Sequence, residues 1–216
     1  MAGIKILALG DSLTVGLQSQ YGPPYYGEWI PYPRHLERLA QEHLKSLGRD
    51  VKMQVMNKGI SGDLTSDMLE RFSRDVIEQQ PSHVVTIGGT NDIGWNVAVD
   101  QIFQNLKSMY DLAEDHAIMP VACSIPSILG FDYMIASRVS LNRMIGEEAE
   151  RRGIPFVDLF DATAESKTRR LSQRYSGDGI HLNTEGYRRI AETIFNEWLR
   201  RVLDQYVRGP PALPSS

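Results

Sequence analysis

The sequence predicts a doubly wound α/β sandwich, an expectation that rests on three observations. Short apolar runs alternate with longer amphipathic stretches, small polar turns follow several of the runs, and no run approaches the length of a membrane-crossing helix. The runs lie at residues 4–9, 51–56, 83–87, 118–123 and 154–159. Each is near-continuously apolar and too short for a core helix, which predicts five parallel strands buried on both faces. Helical periodicity over 35–47, 64–79, 97–115 and 133–152 predicts the crossovers between them, and 184–207 a closing helix. Ligands of such sheets bind outside the carboxyl ends of the strands, so the residues just after each run are where chemistry is expected.

At 216 residues the chain is long enough for one sizeable core, and a single domain over 1–207 is expected. The Pro-rich tail over 208–216 is expected to be unstructured. Apolar residues at 42% and charged residues at 23% place the chain among soluble globular proteins. A formal charge of −4 and basic residues scattered in short pairs such as Arg151-Arg152 and Arg188-Arg189 argue against a nucleic-acid partner. Cys123 is the single cysteine, so an intrachain disulfide and a thiolate zinc site are both excluded. No His-Glu-x-x-His or clustered-carboxylate spacing points to a metal, and no cofactor is expected. The N-terminus lacks the basic start and long apolar stretch of a secretory signal, so the cytoplasm is the expected compartment. The expected partner is a small ester, with no membrane span, and self-association into a homo-oligomer stays open.

Two long connections break the rhythm. Residues 18–34 crowd Tyr21, Pro23, Pro24, Tyr25, Tyr26, Trp29, Pro31, Tyr32 and Pro33 into one stretch after the first strand. Long ordered loops are usually functional, so this stretch is read as a pocket wall, with Tyr25, Tyr26, Trp29 and Tyr32 as candidate substrate contacts. A loop that merely covers the first helix is the bland alternative. Residues 124–132 form a second candidate wall.

The turns after the strands carry the chemistry: Gly10-Asp11-Ser12 after the first, Asn57 through Gly62 after the second, and Gly88-Gly89-Thr90-Asn91-Asp92 after the third. After the fifth comes Asp178-Gly179-Ile180-His181. Nucleophilic acyl transfer needs a hydroxyl, a neutral imidazole to take its proton, and a carboxylate that fixes the imidazole tautomer. Ser12, His181 and Asp178 fill those roles. The oxyanion that forms on attack needs donors already aimed at it. The Ser12 N–H at a helix start, the Gly62 N–H and the Asn91 carboxamide are the candidates. Asp11 and Asp92 are read as braces of their turns.

These four segments, in this order, resemble the GDSL or SGNH hydrolases. Gly10-Asp11-Ser12-Leu13 matches the first block of that family, Gly62 the second, Gly89-Thr90-Asn91-Asp92 the third and Asp178-Gly179-Ile180-His181 the last. The resemblance spans residues 4 to about 194. It implies a flavodoxin-like three-layer α/β/α fold with strand order 2-1-3-4-5. It also implies a metal-independent acyl-enzyme mechanism and substrates among esters, thioesters, lysophospholipids and acetylated sugars. The aromatic insertion after Ser12 departs from the family pattern.

Taken singly, Ser12 and Asp178 read as helix caps, His181 as an ordinary satisfied histidine, and Gly62 and Asn91 as turn formers. Their joint placement at strand ends favours catalysis. The resulting expectation is a carboxylesterase acting on short-chain or aromatic esters. The alternatives are a carbohydrate O-deacetylase, with the aromatic loop stacking on sugar rings, and a non-catalytic binding module on the same fold.

Overall fold

The computed structural model describes residues 4–18 and 30–208. Strand β1 (Ile4–Gly10) is flanked in parallel register by β2 (Met53–Gly59) and β3 (His83–Ile87). Strands β4 (Met119–Cys123) and β5 (Phe156–Val157) extend the sheet beyond β3, giving the order β2-β1-β3-β4-β5. The chain enters α1 (Ser12–Val15) and α2 (Tyr32–Ser46) before β2, and α3 (Thr65–Glu70) and α4 (Phe72–Asp75) before β3. Next come α5 (Thr90–Gly94) and α6 (Val99–Asp115) before β4, then α7 (Ile135–Arg152) before β5. Helices α8 (Leu159–Thr163), α9 (Thr184–Ile194) and α10 (Arg200–Arg208) close the described chain. Helices α2, α9 and α10 pack together on one face of the sheet, and α3, α6 and α7 on the other. This is the three-layer flavodoxin-like arrangement that the motif blocks imply.

Burial explains the apolar pattern. Ile6, Leu7, Ala8 and Leu9 of β1 are fully buried, as a central strand covered on both faces must be. In α2, Leu36, Ala40 and Leu44 form a buried stripe at four-residue spacing, while Arg38 and Glu42 face out. Each such leucine contributes about 2 kcal/mol through the surface it removes from water.

The structure departs from the sequence reading at identifiable places. The second strand starts at Met53 and runs on through Asn57, Lys58 and Gly59, which pair with Ala8, Leu9 and Gly10 and are not the turn they resemble. The fifth strand is only two residues long. Pro155 has no N–H for the ladder, although its carbonyl accepts from Ala122 N at 2.9 Å, and Asp158 already caps α8. The helix expected over 64–79 breaks at Arg71, whose backbone leaves the helical region at φ −89° and ψ 2°, into α3, α4 and a 3₁₀ turn (Ile77–Gln79), and the Arg71 side chain turns inward to strand carbonyls. The closing helix contains one π turn, Phe195–Leu199, and continues through Arg208, so that residue is not part of a loose tail. The remaining tail, 209–216, lies outside the described residues, as do Tyr25 and the rest of 19–29.

Candidate active site

Ser12 sits at the first position of α1, immediately past the carboxyl end of β1. Asp11 caps this helix: its Oδ1 accepts from Leu13 N at 2.9 Å, and its carbonyl accepts from Thr14 N and Val15 N. Among the described residues the Ser12 N–H has no partner, as expected of the first N–H of a helix. Asp11 is buried, and that burial pushes its carboxyl up to about 6 against the bond from Leu13 and the charge of Arg138.

The second rim segment follows β2. Gly62 adopts φ +88°, and a Cβ there would meet nothing within 4 Å, so the left-handed backbone and not crowding calls for glycine. The third segment follows β3, where Asn91 in α5 donates through Nδ2 to the Asp63 carbonyl at 2.9 Å. That bond fixes the carboxamide beside the Gly62 turn and occupies one of its two N–H groups. Asp92 accepts from Thr65 N and from Thr65 Oγ1 at 2.6 Å, tying the third turn to the start of α3. Burial raises the Asp92 carboxyl in spite of these bonds.

Asp178 and His181 share a turn closed by an antiparallel bridge between Ser176 and Leu182. Asp178 Oδ2 lies 2.9 Å from His181 Nδ1, and Oδ1 accepts from Ile180 N at 2.9 Å and His181 N at 2.8 Å. Partial burial works to raise the Asp178 carboxyl, but these N–H groups and the imidazole outweigh it and hold it below the ordinary carboxylate range. With Nδ1 engaged by a carboxylate, Nε2 is left as the acceptor nitrogen. Gly179 makes the turn feasible twice over: its φ is +84°, and a Cβ would fall 2.1 Å from the Leu129 carbonyl oxygen. Past the turn, Tyr187 of α9 donates through its hydroxyl to the Leu17 carbonyl at 2.5 Å, and Gln18 Nε2 donates to Thr184 Oγ1 at 3.1 Å. These bonds tie the start of α9 to the segment leaving α1.

A cavity of about 280 Å³ opens beside Asn91 and Ile180, walled by Gly94, Trp95, Ile128, Phe131 and Met134. Trp95 is 78% exposed at its mouth. Arg138, 2% exposed, closes it from α7, donating through Nη1 to the Pro126 carbonyl at 2.8 Å. Burial lowers this guanidinium to about 10, with the charge of Asp11 opposing. A larger cavity of about 420 Å³ runs between charged side chains of α2, such as Arg34, Glu37 and Arg38, and contains none of the rim residues.

Of the candidate pocket aromatics, Tyr25, Tyr26 and Trp29 lie outside the described residues. Tyr32 opens α2 with 1% of its surface exposed, its hydroxyl beside Thr14 of the Ser12 turn. Trp95, Arg138 and Arg71 are not legible in the sequence, since a lone tryptophan or arginine in a helical stretch carries no motif. Among the described residues no group of three His, Cys, Asp or Glu side chains is placed to hold a metal, and no helix is long and apolar enough to cross a membrane.

The chain's relatives bear on this geometry. The profile of the GDSL-like Lipase/Acylhydrolase family matches residues 8–189. An acetylxylan esterase of Geobacillus stearothermophilus is 28% identical over 220 residues, covering 92% of this chain and 97% of the relative. The esterase TesA of Pseudomonas aeruginosa is 27% identical over 198 residues, covering 90% and 87%, and an arylesterase of Vibrio mimicus 26% over 212 residues, covering 93% and 91%. The solved acetylxylan esterase of Geobacillus stearothermophilus superimposes with a TM-score of 0.75 at 24% identity, covering 91% of this chain and 94% of that one. A lipolytic protein of the G-D-S-L family from Desulfitobacterium hafniense DCB-2 gives 0.71 at 22% identity, covering 88% and 97%.

Proposed function

The chain belongs to the GDSL-like lipase/acylhydrolase family, a family of esterases and acylhydrolases, and on that premise we propose that it is a carboxylic ester hydrolase with Ser12 as its nucleophile. Ser12 Oγ attacks the ester carbonyl while His181 Nε2 takes its proton, and Asp178 holds the imidazole and stabilises the imidazolium. The tetrahedral oxyanion is received by the N–H groups of Ser12 and Gly62 and by the free N–H of the Asn91 carboxamide. His181 then delivers the proton to the leaving alcohol, and water releases the acyl group by the reverse path. The observation that carries this reading is the 2.9 Å contact between Asp178 Oδ2 and His181 Nδ1, in a turn that leads into α9, whose Tyr187 bonds the segment that leaves α1.

Short-chain or aromatic esters are the proposed substrates, since the cavity beside Asn91 is small and mainly apolar in its walls. A carbohydrate O-deacetylase is the second reading. It is favoured by the similarity along nearly the whole chain to an acetylxylan esterase and by the exposed Trp95 indole at the cavity mouth, a surface suited to stacking on a sugar ring. Hydrolysis of 4-nitrophenyl esters from acetyl to palmitoyl, beside acetate release from acetylated oligosaccharides, separates the two. Ser12→Ala is expected to lower kcat/KM on every accepted ester by about 10⁴-fold or more. Equal rates for this variant and the wild type would instead mean a binding module, or a different nucleophile.

A further inference from the structure

We propose that Arg71 is a positioning residue of the reaction, one that sets the distance between the nucleophile turn and the oxyanion donors. Arg71 lies between α3 and α4 and is 7% exposed. Its guanidinium reaches four acceptors, one on each of three parts of the rim and the fourth on α4. Nη2 donates to the Gly10 carbonyl at 3.0 Å, at the end of β1 and two residues before Ser12. Nη1 donates to the Lys58 carbonyl at 2.9 Å, near the end of β2, and to Asp75 Oδ2 at 3.0 Å. Nε donates to Asp63 Oδ2 at 2.7 Å. Asp63 follows Gly62 directly, and its backbone carbonyl is the acceptor that fixes the Asn91 carboxamide. One planar group therefore connects the Ser12 turn to both other donors of the oxyanion hole, through Asp63 in each case.

Burial of charge alone does not account for this arrangement. A buried ion pair is weak evidence for stability, because an apolar side chain of like volume often serves the fold as well. Four donors in one plane, each on a different acceptor, define relative positions in a way that an apolar group or the three tetrahedral donors of lysine cannot. Oxyanion stabilisation depends on donors held where the charge develops, and a displacement of about 1 Å can cost about 100-fold in rate.

The inference rests on the reading of Ser12, Gly62 and Asn91 given above, and its test separates the two. Wild type, Ser12→Ala, Arg71→Lys, Arg71→Met and Asp63→Asn are compared for kcat and KM on 4-nitrophenyl acetate, each at a temperature well below its own unfolding midpoint. The Arg71 variants are expected to lose about 10- to 100-fold in kcat, with KM within about threefold of wild type, because the lost contacts act on the transition state. Arg71→Lys is expected to retain more activity than Arg71→Met. Asp63→Asn keeps the backbone carbonyl used by Asn91 and loses only the charged acceptor of Arg71 Nε, so a several-fold loss in kcat is expected even if both Arg71 variants fail to fold. A folded Arg71 variant with wild-type kcat, or losses that merely follow the folded fraction, overturns the positioning role while leaving the hydrolase reading intact. A wild type no more active than Ser12→Ala overturns both.

Discussion

Among the described residues two histidines hold a carboxylate: His181 with Asp178 at 2.9 Å, and His43 with Asp204 at 2.7 Å. The pair alone does not mark a catalytic base. His43 sits on α2 against α10 and meets Phe195 edge to face at 5.6 Å, in the helical layer, whereas the Asp178 carboxylate also accepts two backbone N–H groups that hold it in the turn. Asp178→Asn is therefore expected to lower kcat on 4-nitrophenyl acetate by about 10³- to 10⁴-fold, since an amide at that position no longer enforces the productive tautomer. His43→Ala is expected to leave the rate within about twofold, and the same assay reads both. Asp11 offers a test through stability. Its carboxyl is raised from 3.8 to about 6, chiefly by burial, so the fold is favoured while this group is protonated in both states. That advantage is lost as pH rises from about 4 through about 6. Asp11→Asn keeps an oxygen for the Leu13 N–H but carries no charge, so its stability relative to wild type is expected to improve across that window, by at most about 3 kcal/mol. Denaturant unfolding at pH 4 and pH 7.5 checks the sign, and a difference between the two proteins that does not change with pH refutes it.

At the scale of elements, α9 follows the turn that holds His181 and is tied to the segment leaving α1 by Tyr187, whose ring is buried and whose hydroxyl bonds the Leu17 carbonyl. Tyr187→Phe removes that bond and leaves a carbonyl unsatisfied. A loss of about 1–2 kcal/mol in stability is expected, with a several-fold fall in kcat if the tie also positions the imidazole. A variant destabilised to this extent but with unchanged kcat would limit the bond to a structural role. The strands were readable because burial on both faces leaves a continuous apolar run, which is why residues 83–87 were placed to the residue. Edges were harder to read. The polar end of β2, Asn57-Lys58-Gly59, looks like a turn, and only its pairing with β1 makes it strand. Ser12, Gly62, Asn91, Asp178 and His181 are each ordinary cap or turn residues taken singly, and it is their joint occurrence, in the order of the family's blocks, that singles them out. Arg71 could not, since its role comes from tertiary contacts with Gly10 and Lys58 that are distant in sequence. The burial of Tyr32 was hidden for the opposite reason, lying in an aromatic cluster whose other members suggested a surface wall.

For the whole molecule, the order β2-β1-β3-β4-β5 brings the ends of β1, β2 and β3 side by side, so that segments about 50 and 80 residues from Ser12 in sequence become its neighbours at one rim. Keeping that rim in register requires the helical layers to stay docked, and on the α6–α7 side the docking includes ion pairs in partly dry surroundings. Glu148, 7% exposed, accepts from Arg151 at 2.6 Å and from Arg152 at 2.7 Å, and Arg152 reaches Asp111 and Glu114 of α6 at 2.5 Å each. The bonds from Arg151, then those from Arg152, hold the Glu148 carboxyl down from 4.5 to about 2 in spite of its burial. A depressed carboxylate supplies stability that is fully present above its unfolded value and is lost as pH falls through its folded one. The contribution of Glu148 is therefore complete at neutral pH and disappears between about 4.5 and 2. Glu148→Gln is expected to be less stable than wild type at pH 7 and to converge with it as pH approaches 2. Thermal unfolding across that range tests this: a gap that stays constant with pH would mean the side chain acts through packing, and a gap that widens on acidification would reverse the sign.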